Sequence, residues 1–203
     1  MIRQLTALLL SLLVAGPAAA HPFGTKFHSM RHELRMGEQG LEAVVILEVP
    51  TQVVLRIYQS RYAEAEISTQ DAEADFLAWW CARLGEGLAL TVDGQPAPGR
   101  WEAADHPSNG RGAEKFFVYL LSFRFEGPVP SGTQVEVGLS NASLPKAKMY
   151  YSSFAEASGA WRVDSNSARD LIGDRADAAE VSEDPTAWTR DEAARSLKVV
   201  FAR

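Results

Sequence analysis

Three of the four histidines lie in HPFGTKFHSMRHEL, residues 21 to 34, directly behind a leucine-rich leader. His21, His28 and His32 bring imidazoles, and Met30 places a thioether between the last two. Imidazole suits copper, nickel and zinc, and thioether sulfur suits Cu(I). A chain that begins with histidine can hold one copper ion through its α-amine and ring nitrogen together, with a second histidine completing a T-shaped set. His21 would supply the first two nitrogens, leaving His28, Met30 and His32 as candidates for the remainder. Geometry prunes that list. On a regular strand His28 and His32 stand about 13 Å apart, at ~3.3 Å per residue. A first-row metal sits about 2 Å from a ring nitrogen, so those two rings cannot easily share one ion. A better arrangement folds His21 back through Pro22-Phe23-Gly24 to meet His28 or Met30. The alternative is that His28 and His32 are hydrogen-bonded members of an inward strand face and His21 is a free terminus.

Other reactive patterns are missing from the sequence. There is no G-x-S-x-G elbow and no glycine-rich phosphate loop. Cys81 is the only cysteine, so no intrachain disulfide can form, and it falls within an apolar helical stripe, where a thiol packs rather than reacts. Asp105-His106 has no evident nucleophile beside it. No motif therefore marks an enzyme.

Whether His21 can act depends on the leader. Met1 to Ala20 has Arg3 near its start, an apolar run from Leu5 to Val14, and a small-residue end, Ala18-Ala19-Ala20. These are the parts of a secretory signal peptide. The ten-residue apolar run would rise only about 15 Å as a helix, against a membrane core about 30 Å thick. Cleavage after Ala20 makes His21 the first residue of a periplasmic or secreted protein. The remaining residues, 21–203, fit one domain, with no later run long enough for a membrane span. The net charge of −6 becomes −7 when Arg3 is removed, and no Lys/Arg block stands out, so nucleic acid is not an expected partner.

The elements that must position these residues read as mainly β. From Phe27 to Met36 the chain alternates, with His28, Met30, His32, Leu34 and Met36 on one face, expected inward. Gly37 to Gly40 reads as a four-residue hairpin loop before a second strand, Leu41 to Val49. Gln52 to Tyr62 is ambiguous between strand and helix. Residues 69–84 carry Ala72, Phe76, Trp80 and Leu84 four apart, an amphipathic helix. Asp93-Gly94 is a hairpin dipeptide, and Pro96 and Pro98 mark the following strand as an edge. Further strands are read in 114–125, 133–139, 148–163 and 197–201. Asp170 to Pro185 reads as a long surface loop, and Thr189-Arg190-Asp191-Glu192 as a capping box over a short helix. The sum is an antiparallel, immunoglobulin-like β-sandwich of eight or nine strands with one helix inserted between early strands.

His21-Pro22-Phe23-Gly24, Leu47-Glu48-Val49-Pro50-Thr51 and the run from Gly87 to Pro98 together resemble a known exported domain. It is the extracytoplasmic N-terminal domain of the HupE/UreJ family of nickel/cobalt-type transporters. The resemblance covers some 80 to 120 residues and implies a periplasmic β-rich domain working beside a membrane transporter, close to its metal cargo. Family members continue into membrane helices, whereas this sequence stops at Arg203, so a standalone domain is expected. The acidic calcium-type loop of some members has no counterpart in Tyr62 to Asp71. Three roles follow as expectations. The first is an accessory or binding protein for copper or nickel. The second is a metal-free interaction domain docking a membrane partner through a β edge or the 105–112 loop. The third is a copper-dependent oxidase built on His21.

Overall fold

The computed structural model describes residues 28–63, 69–103, 116–126, 132–144, 147–177, 186 and 188–203. His21, the leader and the 105–112 loop lie outside them. Two five-stranded sheets face each other. The first runs β5 (Gly99–Ala103), β6 (Phe116–Phe125), β2 (Gly40–Pro50), β1 (His28–Gly37), β8 (Met149–Ala157). The second runs β4 (Gln95–Pro96), β3 (Leu88–Val92), β7 (Gln134–Asn141), β10 (Ser196–Ala202), β9 (Arg162–Asn166). Two helices, α1 (Thr51–Tyr62) and α2 (Thr69–Gly85), connect β2 to β3. The chain is thus a mainly β sandwich with a helical insertion between early strands.

The alternation in β1 sets the core. Met30, His32, Leu34 and Met36 turn inward from β1, and Ala43, Val45 and Leu47 do so from β2. Val135, Val137, Leu139 and Asn141 face them from β7, with Leu197, Val199 and Phe201 from β10. This is the period-two pattern of a buried face on each sheet. Asp93 (φ 50°) and Gly94 (φ 74°) both adopt the positive φ that a two-residue hairpin requires, and Pro96 ends on the edge strand β4.

Several expectations need correction. The first hairpin has a two-residue loop, Glu38-Gln39, because Gly37 pairs directly with Gly40, whose φ of 112° suits glycine alone. Gln52 to Tyr62, open between strand and helix in the sequence, resolves as helix: Pro50 closes β2, and α1 packs Val54 inward with Tyr58 and Tyr62 against Phe76 of α2. The first sheet is not wholly antiparallel, since β1 and β8 pair in parallel, Met30 beside Tyr151. The 170–185 stretch is not simply a loop. A short helix, Arg169–Ile172, and a 3₁₀ turn, Gly173–Asp177, bury Ile172 and Ala176. The second capping pattern is shifted by two residues. Asp191, not Thr189, is the N-cap of a 3₁₀ turn at Glu192–Arg195, accepting from the Ala193 amide.

One glycine holds the loop that later forms part of the site. A Cβ built on Gly87 would stand 2.5 Å from the Ser143 backbone nitrogen, and the Ala142 amide donates to the Gly87 carbonyl at 2.6 Å. Neither backbone segment can move without breaking that bond. Gly87→Ala is therefore expected to destabilise the protein by about 1–3 kcal/mol, as overpacking against rigid neighbours does. A lowered thermal midpoint relative to Gly94→Ala, where no atom lies within 4 Å, would separate this clash from glycine's turn role.

Candidate functional site

Strand β1 carries the candidate ligands, and its ends differ. His28 opens the strand and is half-buried, its amide bonded to the Lys148 carbonyl at 3.2 Å. Burial holds the ring's pKa below the usual histidine value, against an opposing influence of the Lys148 backbone. The ring is therefore neutral at neutral pH. A neutral imidazole carries one nitrogen with a free lone pair, the form that binds a metal ion.

Met30 and His32 stand in different surroundings. The Met30 sulfur accepts from the Asn141 side-chain amide across the sandwich. His32 is wholly enclosed, and neither ring nitrogen has a partner. Its ring lies 6.4 Å from that of Tyr151, nearly parallel. The Arg195 guanidinium sits over the other ring of this pair, 5.3 Å from the Tyr151 centroid. Burial, and secondarily the charge of Arg195, depress the His32 pKa to about 4. A cation placed beside His32 would meet the same repulsion from Arg195. The surroundings of His32 thus do not fit a metal ion. His28 and His32 share a face, as the alternation requires, but the structure does not bring them together at one point.

The Asn141 oxygen accepts from the amide and hydroxyl of Ser143 at 2.8 and 2.6 Å. Arg195 Nη1 donates to the carbonyls of Ser143 at 3.1 Å and Asn141 at 3.5 Å, and its Nε pairs with Glu192. The Tyr151 hydroxyl and Arg195 Nη2 are buried without partners, as are both His32 nitrogens. Buried polar atoms in this condition are rare, because each forgoes hydration without a replacement bond. Sequence reading missed this cluster. Arg195 and Tyr151 lie far from His32 in the chain; the parallel pairing of β1 with β8 brings Tyr151 to it, and the 3₁₀ turn before β10 lays Arg195 over Tyr151.

The opposite face of β1 is buried as well, which departs from the half-buried strand expected. Arg31 is 2% exposed and Glu33 is 5% exposed. Glu33 bridges two guanidiniums, with Arg31 Nε at 2.8 Å and Arg35 Nη2 at 2.6 Å. Both arginines lie over the Phe154 ring, at 5.3 and 5.4 Å. Arg35 also reaches Glu42 and Glu156, each at 3.6 Å. A polar residue every second position reads as a solvated face in sequence, and here Arg31 and Glu33 are the enclosed end of an ion network that reaches solvent at Arg35, Glu42 and Glu156.

Cys81 is buried in α2, and burial raises its thiol pKa to about 11, so it is a packing residue. Among the described residues no three His, Cys, Asp or Glu side chains gather as a metal site. Two surface grooves, of about 500 and 410 Å³, lie apart from the histidines. The larger lines the outer face of the second sheet with Thr91, Gly138, Ser140 and Ser196. The other runs beneath the end of α2, beside Trp101 and Phe123. No helix among the described residues is long and apolar enough to cross a membrane. No protein-family model matches the chain, and no curated protein matches it either.

Proposed function

We propose that the protein is an exported β-sandwich accessory module of transition-metal handling, which binds copper or nickel at the N-terminal end of β1 and works beside a membrane metal transporter. The observation that carries this reading is the state of His28. Its ring is half-buried and neutral at neutral pH, at the strand end nearest in sequence to His21. The six residues between them can extend across at most about 25 Å, so the chain length permits His21 to return to His28. His21 would contribute its α-amine and ring, and His28 the third nitrogen. The metal, when bound, supplies a charged centre that a transporter's cargo site can exchange with. The resemblance of residues 21–24, 47–51 and 87–98 to the exported domain of nickel/cobalt-type transporters supports the choice of cargo.

Calorimetric titration of the processed protein with Cu(II) and Ni(II) tests this. One site is expected, with affinity falling roughly tenfold or more in His28→Ala, since loss of a ligand should exceed the effect of losing its orienting partner. His32→Leu should leave the affinity unchanged. Equal affinities for wild type and His28→Ala would remove the site.

A further inference from the structure

We propose that the segment Thr189–Arg195 is a strap held over the edge of β8 only while His32 is uncharged, so that acid releases it. The strap meets β8 through backbone and ring contacts and buries Ala194 in the core. Thr189 and Tyr151 exchange two backbone hydrogen bonds, at 2.8 and 2.9 Å, as an isolated bridge. Arg190 lies over the Tyr150 ring at 5.6 Å, and Arg195 over the Tyr151 ring at 5.3 Å. Arg195 is the end of the strap that enters the sandwich. Its side chain is 14% exposed, so it sits at the mouth, while His32 lies fully enclosed behind it.

His32 has nothing to compensate a positive charge. From the strap, Arg195 and Glu192 face this region, and Glu192 is committed to Arg195 Nε. From β8 the facing titratable group is Tyr151, whose hydroxyl is far from ionising, since burial raises its pKa to about 12. From β2, Ala43, Val45 and Leu47 turn inward; from β7, Val137, Leu139 and Asn141; from β10, Leu197 and Val199. None of these carries a charge. On β1 itself, Met30 and Leu34 flank His32 on the same face, and His28 lies beyond Met30 at the strand's start. A proton on His32 therefore places two cations in one closed space. Arg195 is the member that can leave, because it needs only to swing outward into solvent. Its departure gives up the bonds to the Asn141 and Ser143 carbonyls and lifts the strap from Tyr151. The bared edge of β8 then presents the unpaired amide and carbonyl of Tyr151, the condition in which a sheet edge accepts another strand.

Hydrogen exchange of the processed full-length protein, expressed as protection so that intrinsic pH effects cancel, tests the strap. Between pH 7 and pH 5 the Tyr151 and Thr189 amides should lose protection by up to roughly 20-fold, as a group shifted from 6.5 to about 4 dictates, while Val137 and Leu47 keep theirs. The loss should vanish in His32→Leu and persist in Glu192→Gln. Should His32→Leu fail to fold, the ring titration of His32 followed by NMR in the wild type serves instead, and should coincide with the onset of strap exchange. Equal losses at all four amides, an unchanged response in His32→Leu, or a His32 ring that titrates with no change at Thr189 would each overturn the proposal.

Discussion

Glu33→Ala is expected to destabilise the protein by about 3–5 kcal/mol, the range for breaking one partner of a buried ion pair. Glu33 lies between Arg31 and Arg35, and both the Arg31 and Glu33 side chains are almost fully enclosed. Burial pulls the Arg31 pKa below its usual value, and the charge and hydrogen bond of Glu33 are what oppose it. Removing the carboxylate leaves two guanidiniums facing each other over Phe154, one of them desolvated. The cost arises because the carboxylate that offsets the burial of the Arg31 guanidinium is gone. A double replacement, Arg31→Met with Glu33→Leu, should therefore recover most of the loss, since apolar pairs of similar volume are often as stable as buried ion pairs. Urea unfolding checks both variants. The midpoint should fall for the single change and return for the double one, with little change in slope. A loss below ~1 kcal/mol for Glu33→Ala would mean that the network is solvated in solution.

The second large effect is a dependence of stability on pH that passes through one residue. His32 has a folded pKa of about 4, against 6.5 when unfolded, so the unfolded chain binds the proton more readily. Its contribution is fully present above pH 6.5 and declines as pH falls toward 4. The total is about 3 kcal/mol, because each tenfold difference in proton affinity between the two states is worth about 1.36 kcal/mol. Carboxylates titrate over part of the same range, so the informative quantity is wild type minus His32→Leu. That difference should favour the leucine variant increasingly below pH 6.5 and be nearly constant above it. At neutral pH leucine should also cost little, because it removes two unpartnered polar atoms while filling a similar volume. Release of the strap draws on the same free energy, so its amides should respond before global unfolding does.

The fold was legible where one residue's neighbours in sequence decide its place. The period-two run of β1 marked its inward face, and Asp93-Gly94 marked a hairpin by its φ preference alone. The four-residue spacing of Phe76, Trp80 and Leu84 located α2. What stayed hidden depends on long-range pairing. Nothing local to Met30 announces a parallel neighbour at Tyr151, and nothing local to His32 announces Arg195, 163 positions later (195 less 32). The same pairing explains why Arg31 and Glu33 deceived. Their alternation suits a solvated face equally well, and only the covering of that face distinguishes the two. His28 and His32 shared one reading in sequence, yet the structure separates them: one ring is half-buried at the strand's start, the other enclosed near a guanidinium.

The proposed metal site turns on a free α-amine at His21, and one comparison tests it directly. Two forms of the protein should be prepared, one beginning at His21 and one retaining Ala20 ahead of it, and each titrated with Cu(II) by calorimetry. The account predicts tight, one-to-one binding for the first form and a loss of roughly tenfold or more for the second, because the added residue separates the amine from the ring it must act with. Equal affinities in the two forms, or no binding in either, would contradict it.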